Sequence, residues 1–191
     1  MDIKDLDNLI KDRRATPPQF YNGDDVPDEY IYRILENANW APTHKETEPW
    51  RFIVYKGKHK DKLAEEVFNF VMSEYKNNEQ VDPAKAEKFR KNTLNSGAVI
   101  AIILQRDPEE QVPEWEEIAA VACGVQNMWL TATALKIKAF WSTPKFKSLL
   151  GDILELKPGQ RSLGFFFLGQ SAMDYPGPGR GDVKEKIRWA G

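Results

Sequence analysis

With a single cysteine, Cys123, the 191-residue chain can form no internal disulfide, no cysteine-rich metal site and no CxxC redox pair. A reducing compartment is its natural setting. The formal net charge is only -2, with both signs mixed along the chain, so there is no broad basic face for nucleic acid and no polybasic patch for a membrane. Any anionic ligand must be held locally. The longest apolar runs, GAVIAIIL and LGFFFLG, fall short of a bilayer span. The N-terminal MDIKDLDNLIKDRR is charged from its second residue and lacks the apolar core of a signal peptide. These absences predict a soluble, cytoplasmic protein. No GxGxxG follows a strand and no Walker A lysine occurs, which disfavours a nucleotide held on a glycine-rich loop. The histidines, His44 and His59, are too few and too isolated for a metal site. Ser142-Thr143 has no GxSxG setting.

What is present is enough for a sizeable core: 41% hydrophobic and 12% aromatic residues, most simply organised as one domain over residues 1–191. Leu6, Leu9 and Ile10 share one face of a short helix that ends at Arg13-Arg14, before Pro17-Pro18. A second helix follows Asp25 and Pro27 and stops near Trp40, ahead of Pro42. RFIVYKG and the continuous run AVIAIIL read as strands, the latter central and covered on both faces. Between them, residues 59–94 carry helical spacing with a break at Asp82-Pro83, which predicts two helices and a loop. Residues 113–135 form a long helix rich in small side chains. AFWS is then a short strand, 144–150 a helix stopped by Gly151, and SLGFFFLG another buried strand. The tail YPGPGRGDVKEKIRWAG has no core of its own and either frays or lies on another surface. Interleaved helices and strands of this kind give an α+β, three-layer arrangement.

The candidate chemistry has plain alternatives. The stretch Trp40, Pro42, Thr43, His44, Lys45 lies where a helix has ended and a strand is about to begin, and serves equally as a solvated loop or as a ligand-holding one. Arg13-Arg14 can complement a helix dipole or meet a phosphate. Cys123, among alanines, is expected to be buried packing, His59 a solvated turn residue, and Glu116-Glu117 the acidic first turn of a helix. Trp50 and Trp129 are expected in packing.

The ordered set carries a resemblance. A first helix ending in RR, a helix closing on AP, a PWRF strand start, and a long small-residue helix followed by FWST together resemble the FMN-dependent nitroreductase family, and most of all its small, minimal branch. The resemblance implies a three-layer α/β/α sandwich with a mixed, mainly antiparallel central sheet, a long central helix and a C-terminal tail extending over the dimer partner. It implies a homodimer in which NADH or NADPH reduces FMN, and FMN passes electrons by a ping-pong mechanism to a nitroaromatic, a quinone or another small-molecule acceptor. No catalytic side chain and no metal are implied, since the cofactor carries the chemistry. By position, Arg13, Arg14 and Ala15 match the segment that grips the FMN phosphate and ribityl chain. Trp40, Pro42, Thr43, His44 and Lys45 match the segment supplied to the flavin by the other subunit, where His44 or Lys45 would favour the anionic reduced ring. Trp141, Ser142 and Thr143 match the segment beside the isoalloxazine. The chain departs from the common pattern at Ala15, Glu46, Glu48 and Lys136. The first three motivate the alternative of a flavin-binding protein with little or no reductase activity.

Overall fold

The computed structural model describes residues 2–75, 82–173, 175–177 and 179–190. Its centre is β2 (Ala98–Gln105), in which every residue but the last is buried. Side chains alternate across a strand, so β2 feeds two cores. Ile100, Ile102 and Leu104 join one cluster with α2 (Asp28–Asn39) and α5 (Glu114–Ala134), while Val99, Ala101 and Ile103 join another with α3 (Gly57–Glu74) and α4 (Pro83–Asn95). Phe166 faces the first cluster, and Phe165 and Phe167 the second; burying each contributes roughly 2 to 3 kcal/mol relative to exposure. The sheet therefore lies between helical layers.

Strand order is β1-β2-β4-β3, with β1 spanning Trp50–Lys56, β3 Lys138–Ser142 and β4 Gln160–Gly169. All three pairings are antiparallel. The one isolated parallel bridge joins Ala15 to Ala139 on the outer side of β3, and it brings the chain after α1 (Ile3–Asp12) to that edge. The helical stretch 59–94 divides at Asp82, whose carboxylate accepts the Ala84 N–H and caps α4; the predicted connecting loop at 76–81 lies outside the described residues.

Two local features differ from the sequence expectation. Residues 145–149 form a 3-10 turn rather than an α-helix, too short to propagate before Gly151. Cys123 is exposed, not packed. α5 meets α2 through Gly124 and Asn127 instead: a Cβ on Gly124 would come 3.3 Å from the Ala38 carbonyl, and Asn127 Nδ2 donates to Asn37 O at 3.0 Å. That choice of face leaves Ala119, Cys123 and Gln126 exposed and Ala122 half-exposed. His59 is solvated as expected, but in the first turn of α3.

Candidate functional site

Arg13 caps the C-terminus of α1, its guanidinium lying over the Trp129 ring at 5.0 Å from the centroid. It is held below the ordinary arginine pKa, first by burial and then by the nearby charges of Arg180 and Arg14. Arg13 thus feels two further positive charges, a setting that suits an anionic group such as a phosphate beside it. The two arginines of the pair differ in what they touch. Arg14 donates to the carbonyls of Lys11, Arg13 and Pro176, the last at 2.7 Å, so it complements the end of α1 and pins the start of the tail. Arg180 escaped the sequence reading because it stands in the glycine- and proline-rich tail, where no periodicity marks it.

The segment is fixed by backbone as well. Thr16 N donates to Ala139 O at 3.0 Å, and Trp129 Nε1 to Arg14 O at 3.0 Å. Arg13, Arg14 and Ala15 therefore run beside β3, whose last residues are Trp141 and Ser142. Ala139 and Trp141 turn toward α5, while Phe140 and Ser142 turn toward α4. A ligand touching Arg13 and the 141–143 segment must lie along the outer edge of β3, spanning roughly 10 Å from Ala139 to Ser142.

At that far end Ser142 and Thr143 border a cavity of about 480 Å³ between α4 and the 144–146 segment, with Phe89, Phe140 and Phe146 as its apolar lining. Asn92, only 7% exposed, presents an amide to the cavity, and its side chain has no hydrogen-bond partner among the described residues. Among the described residues no fully buried side-chain nitrogen or oxygen lacks a partner, so the Asn92 amide is open to the cavity, where a ligand or water can bond it. Asn92 was invisible in the sequence, being one polar residue among many on a charged helix. The backbone beside the cavity is shaped by β4: Leu163 is skipped in the pairing between Ser162 and Gly164, and its carbonyl accepts Trp141 Nε1 at 3.2 Å. Gly164, at φ +117°, lets that bulge press on Ser142, since an added Cβ would lie 2.3 Å from the Ser142 carbonyl oxygen.

The loop 42–47 lies elsewhere. His44 Nδ1 donates to the carboxylate of Glu116 at 2.7 Å, at the start of α5. Thr43 Oγ1 is engaged within the loop, accepting from Glu48 N at 3.3 Å and lying 3.1 Å from Thr47 Oγ1. Lys45, Glu46 and Glu48 all have φ between 40° and 56°, a concentration of left-handed non-glycine residues that stores strain. Glu116 and Trp129 are thirteen residues apart on α5, roughly 20 Å along its axis, so one chain does not bring His44 and Lys45 to Arg13. Trp40, at the end of α2, is 79% exposed. Among the described residues no cluster could hold a metal ion, and no helix is long and apolar enough to cross a membrane.

The chain is similar to several known proteins. The chain is 30% identical over 141 residues to Bacillus subtilis YfhC, covering 73% of this chain and 70% of that protein. It is 22% identical over 143 residues to Escherichia coli YdjA, covering 74% and 75%. Both relatives are named as NAD(P)H nitroreductases. A crystal structure of a nitroreductase-like protein from Bacillus cereus superposes with a TM-score of 0.82 at 26% identity, over 97% of this chain and 95% of that one. A Desulfovibrio desulfuricans structure solved with FMN superposes at 0.75 and 22% identity, over 97% and 96%. Residues 10–170 match the nitroreductase family as a whole, and the chain belongs to that family.

Proposed function

We propose that this is an FMN-dependent oxidoreductase that takes electrons from NADH or NADPH and delivers them, by a ping-pong mechanism, to a nitroaromatic, quinone or similar acceptor. The FMN-binding domain would occupy residues 1–191 and work in the cytoplasm as a homodimer. The observation that carries this reading is geometric: Arg13, its guanidinium over Trp129, and Ala15, bridged to Ala139, lie beside a strand whose far end borders a cavity. Phosphate, chain and flat ring find matching chemistry in that order along β3.

FMN supplies the redox chemistry when bound, accepting electrons from the nicotinamide and passing them to the acceptor. The chain's residues bind and orient. Arg13 meets the phosphate, with Arg14 holding the tail so that Arg180 stays close. Ala15 leaves room for the ribityl chain but contributes no hydroxyl. Trp141, Ser142 and Thr143 would flank the ring, and Asn92 would offer an amide to its polar edge.

The separation of His44 from Arg13 is explained by a two-fold axis. Halfway between Glu116 and Trp129 are residues 122 and 123, within the exposed small face of α5. Two α5 helices packed antiparallel there would set residue 116 of one against residue 129 of the other. The partner subunit's His44 and Lys45 would then stand beside Arg13 and Trp129, with the lysine adding positive charge near the flavin. Trp115 is 67% exposed and Trp189 88%, as surfaces awaiting a second subunit would be.

The test is an FMN titration of the purified protein, followed by anaerobic addition of NADH and NADPH. Uptake of FMN and bleaching by at least one nucleotide supports the reading. No uptake overturns it. Uptake without bleaching selects the alternative of a flavin-binding protein without useful reductase activity, to which Ala15, Glu46 and Glu48 would contribute.

A further inference from the structure

The cavity beside Ser142 carries more positive charge than a flavin ring requires, and that charge sorts by face. α4 has four basic residues. Arg90 is bound to Glu65 and Glu87, and Lys91 to Glu87. Lys85 and Lys88, one turn apart on the side that lines the cavity, have no carboxylate partner among the described residues, and neither has Lys145 across the opening. Asp82 also lines the cavity and keeps its charge while accepting the Ala84 N–H at 2.9 Å, so among the described lining residues three lysines face one carboxylate. Below this rim the walls are phenyl rings, Phe89 meeting Phe146 edge-on at 5.9 Å. A cavity with phenyl rings in its lining and an excess of positive charge at its rim fits a flat aromatic body whose far end is an anion.

We propose that the acceptor reduced in this pocket is an aromatic compound bearing a carboxylate or comparable anionic substituent, held at its charged end by Lys85, Lys88 and Lys145. This rests on the flavin reading above. For a nitro acceptor the overall step is NAD(P)H + H⁺ + ArNO₂ → NAD(P)⁺ + ArNO + H₂O: the nicotinamide is oxidised, the nitro group is reduced, and one of its oxygens leaves as water. The carboxylate takes no electrons and is a binding handle only.

The probes are 4-nitrobenzoate and its neutral isostere 4-nitrobenzamide, used on the FMN-loaded protein. Each is measured both as an acceptor, by kcat/KM, and as a ligand, by equilibrium dialysis without nucleotide. Replacing the three lysines together by glutamine is expected to lower the benzoate-to-benzamide ratio about tenfold in both measurements. Wild-type preference for the benzoate should fade as salt is raised. Lys88→Arg, which keeps the charge, should keep the ratio. An unchanged ratio in the triple variant overturns the proposal. So does a loss of FMN affinity, which would assign the lysines to the cofactor, or a rise in KM for NADPH but not NADH, which would assign them to the nucleotide's extra phosphate. A wild-type protein that takes up no FMN would overturn the flavin reading itself, a result separate from any of these.

Discussion

Arg13 and Arg14 are neighbours with different work, and substitution should separate them. Arg13→Ala removes the guanidinium that faces the proposed phosphate, and loss of such a charge-assisted contact costs about 2 kcal/mol, roughly thirtyfold in FMN affinity. Arg14→Ala should cost less affinity and instead loosen the tail held at Pro176. Fluorescence titration checks both; equal FMN affinity for Arg13→Ala and wild type would contradict the phosphate assignment. Asn92→Leu should weaken FMN about tenfold while leaving the Tm of the cofactor-free protein nearly unchanged, because the amide faces the cavity and its removal breaks no hydrogen bond to another described residue. A drop in the cofactor-free Tm would show that the amide is structural. At this scale the sequence was half legible. Arg13, Arg14, Ala15 and Trp141 to Thr143 stood in recognisable order, and the structure gathers them along β3. Asn92 and Arg180 acquire meaning only through long-range packing.

The helices and strands themselves were read well, because β2 is apolar throughout and the long helix runs from a proline start with acids in its first turn. What periodicity did not give was which side of α5 is inside. Alanine, glycine and cysteine all fit against a neighbouring helix or stay at a surface, so Cys123 was placed in the core and is in fact exposed. Lys136 shows the limit of residue type as a guide to backbone: it adopts φ 62° after α5, where Lys136 N donates to Thr133 O and Ile137 N to Ala132 O, as glycine does at helix ends. Lys136→Gly should relieve strain of roughly 1 to 2 kcal/mol, partly offset by the freer unfolded chain. A gain in Tm of about 2 to 4 °C is expected; a loss would mean that the lysine side chain contributes more than the backbone costs. Gly164→Ala has the opposite sign. Its Cβ would collide with the Ser142 carbonyl, destabilising the fold on the order of 1 to 3 kcal/mol and lowering FMN occupancy, both readable in one denaturation series with and without FMN.

On the scale of the whole molecule, the account stands on a second subunit. α5 exposes Ala119 and Cys123 at its middle, and the tail exposes Val183, Ile187 and Trp189. Such features want covering, and an obligate dimer interface of this kind should bury well over ~2,000 Å². Ala120 and Gly124 are buried, Gly124 against the Ala38 carbonyl, so tryptophan at either would test folding rather than assembly. Ala122, half-exposed halfway between Glu116 and Trp129, is the site to change. The deciding measurement is light scattering with simultaneous flavin absorbance on wild type and Ala122→Trp. A dimer carrying FMN, and a folded monomeric variant that has lost it, are the predicted results, since a ligand bound only by the dimer is released with it. A monomer that keeps full FMN occupancy would contradict the shared site and return Thr43, His44 and Lys45 to an ordinary loop.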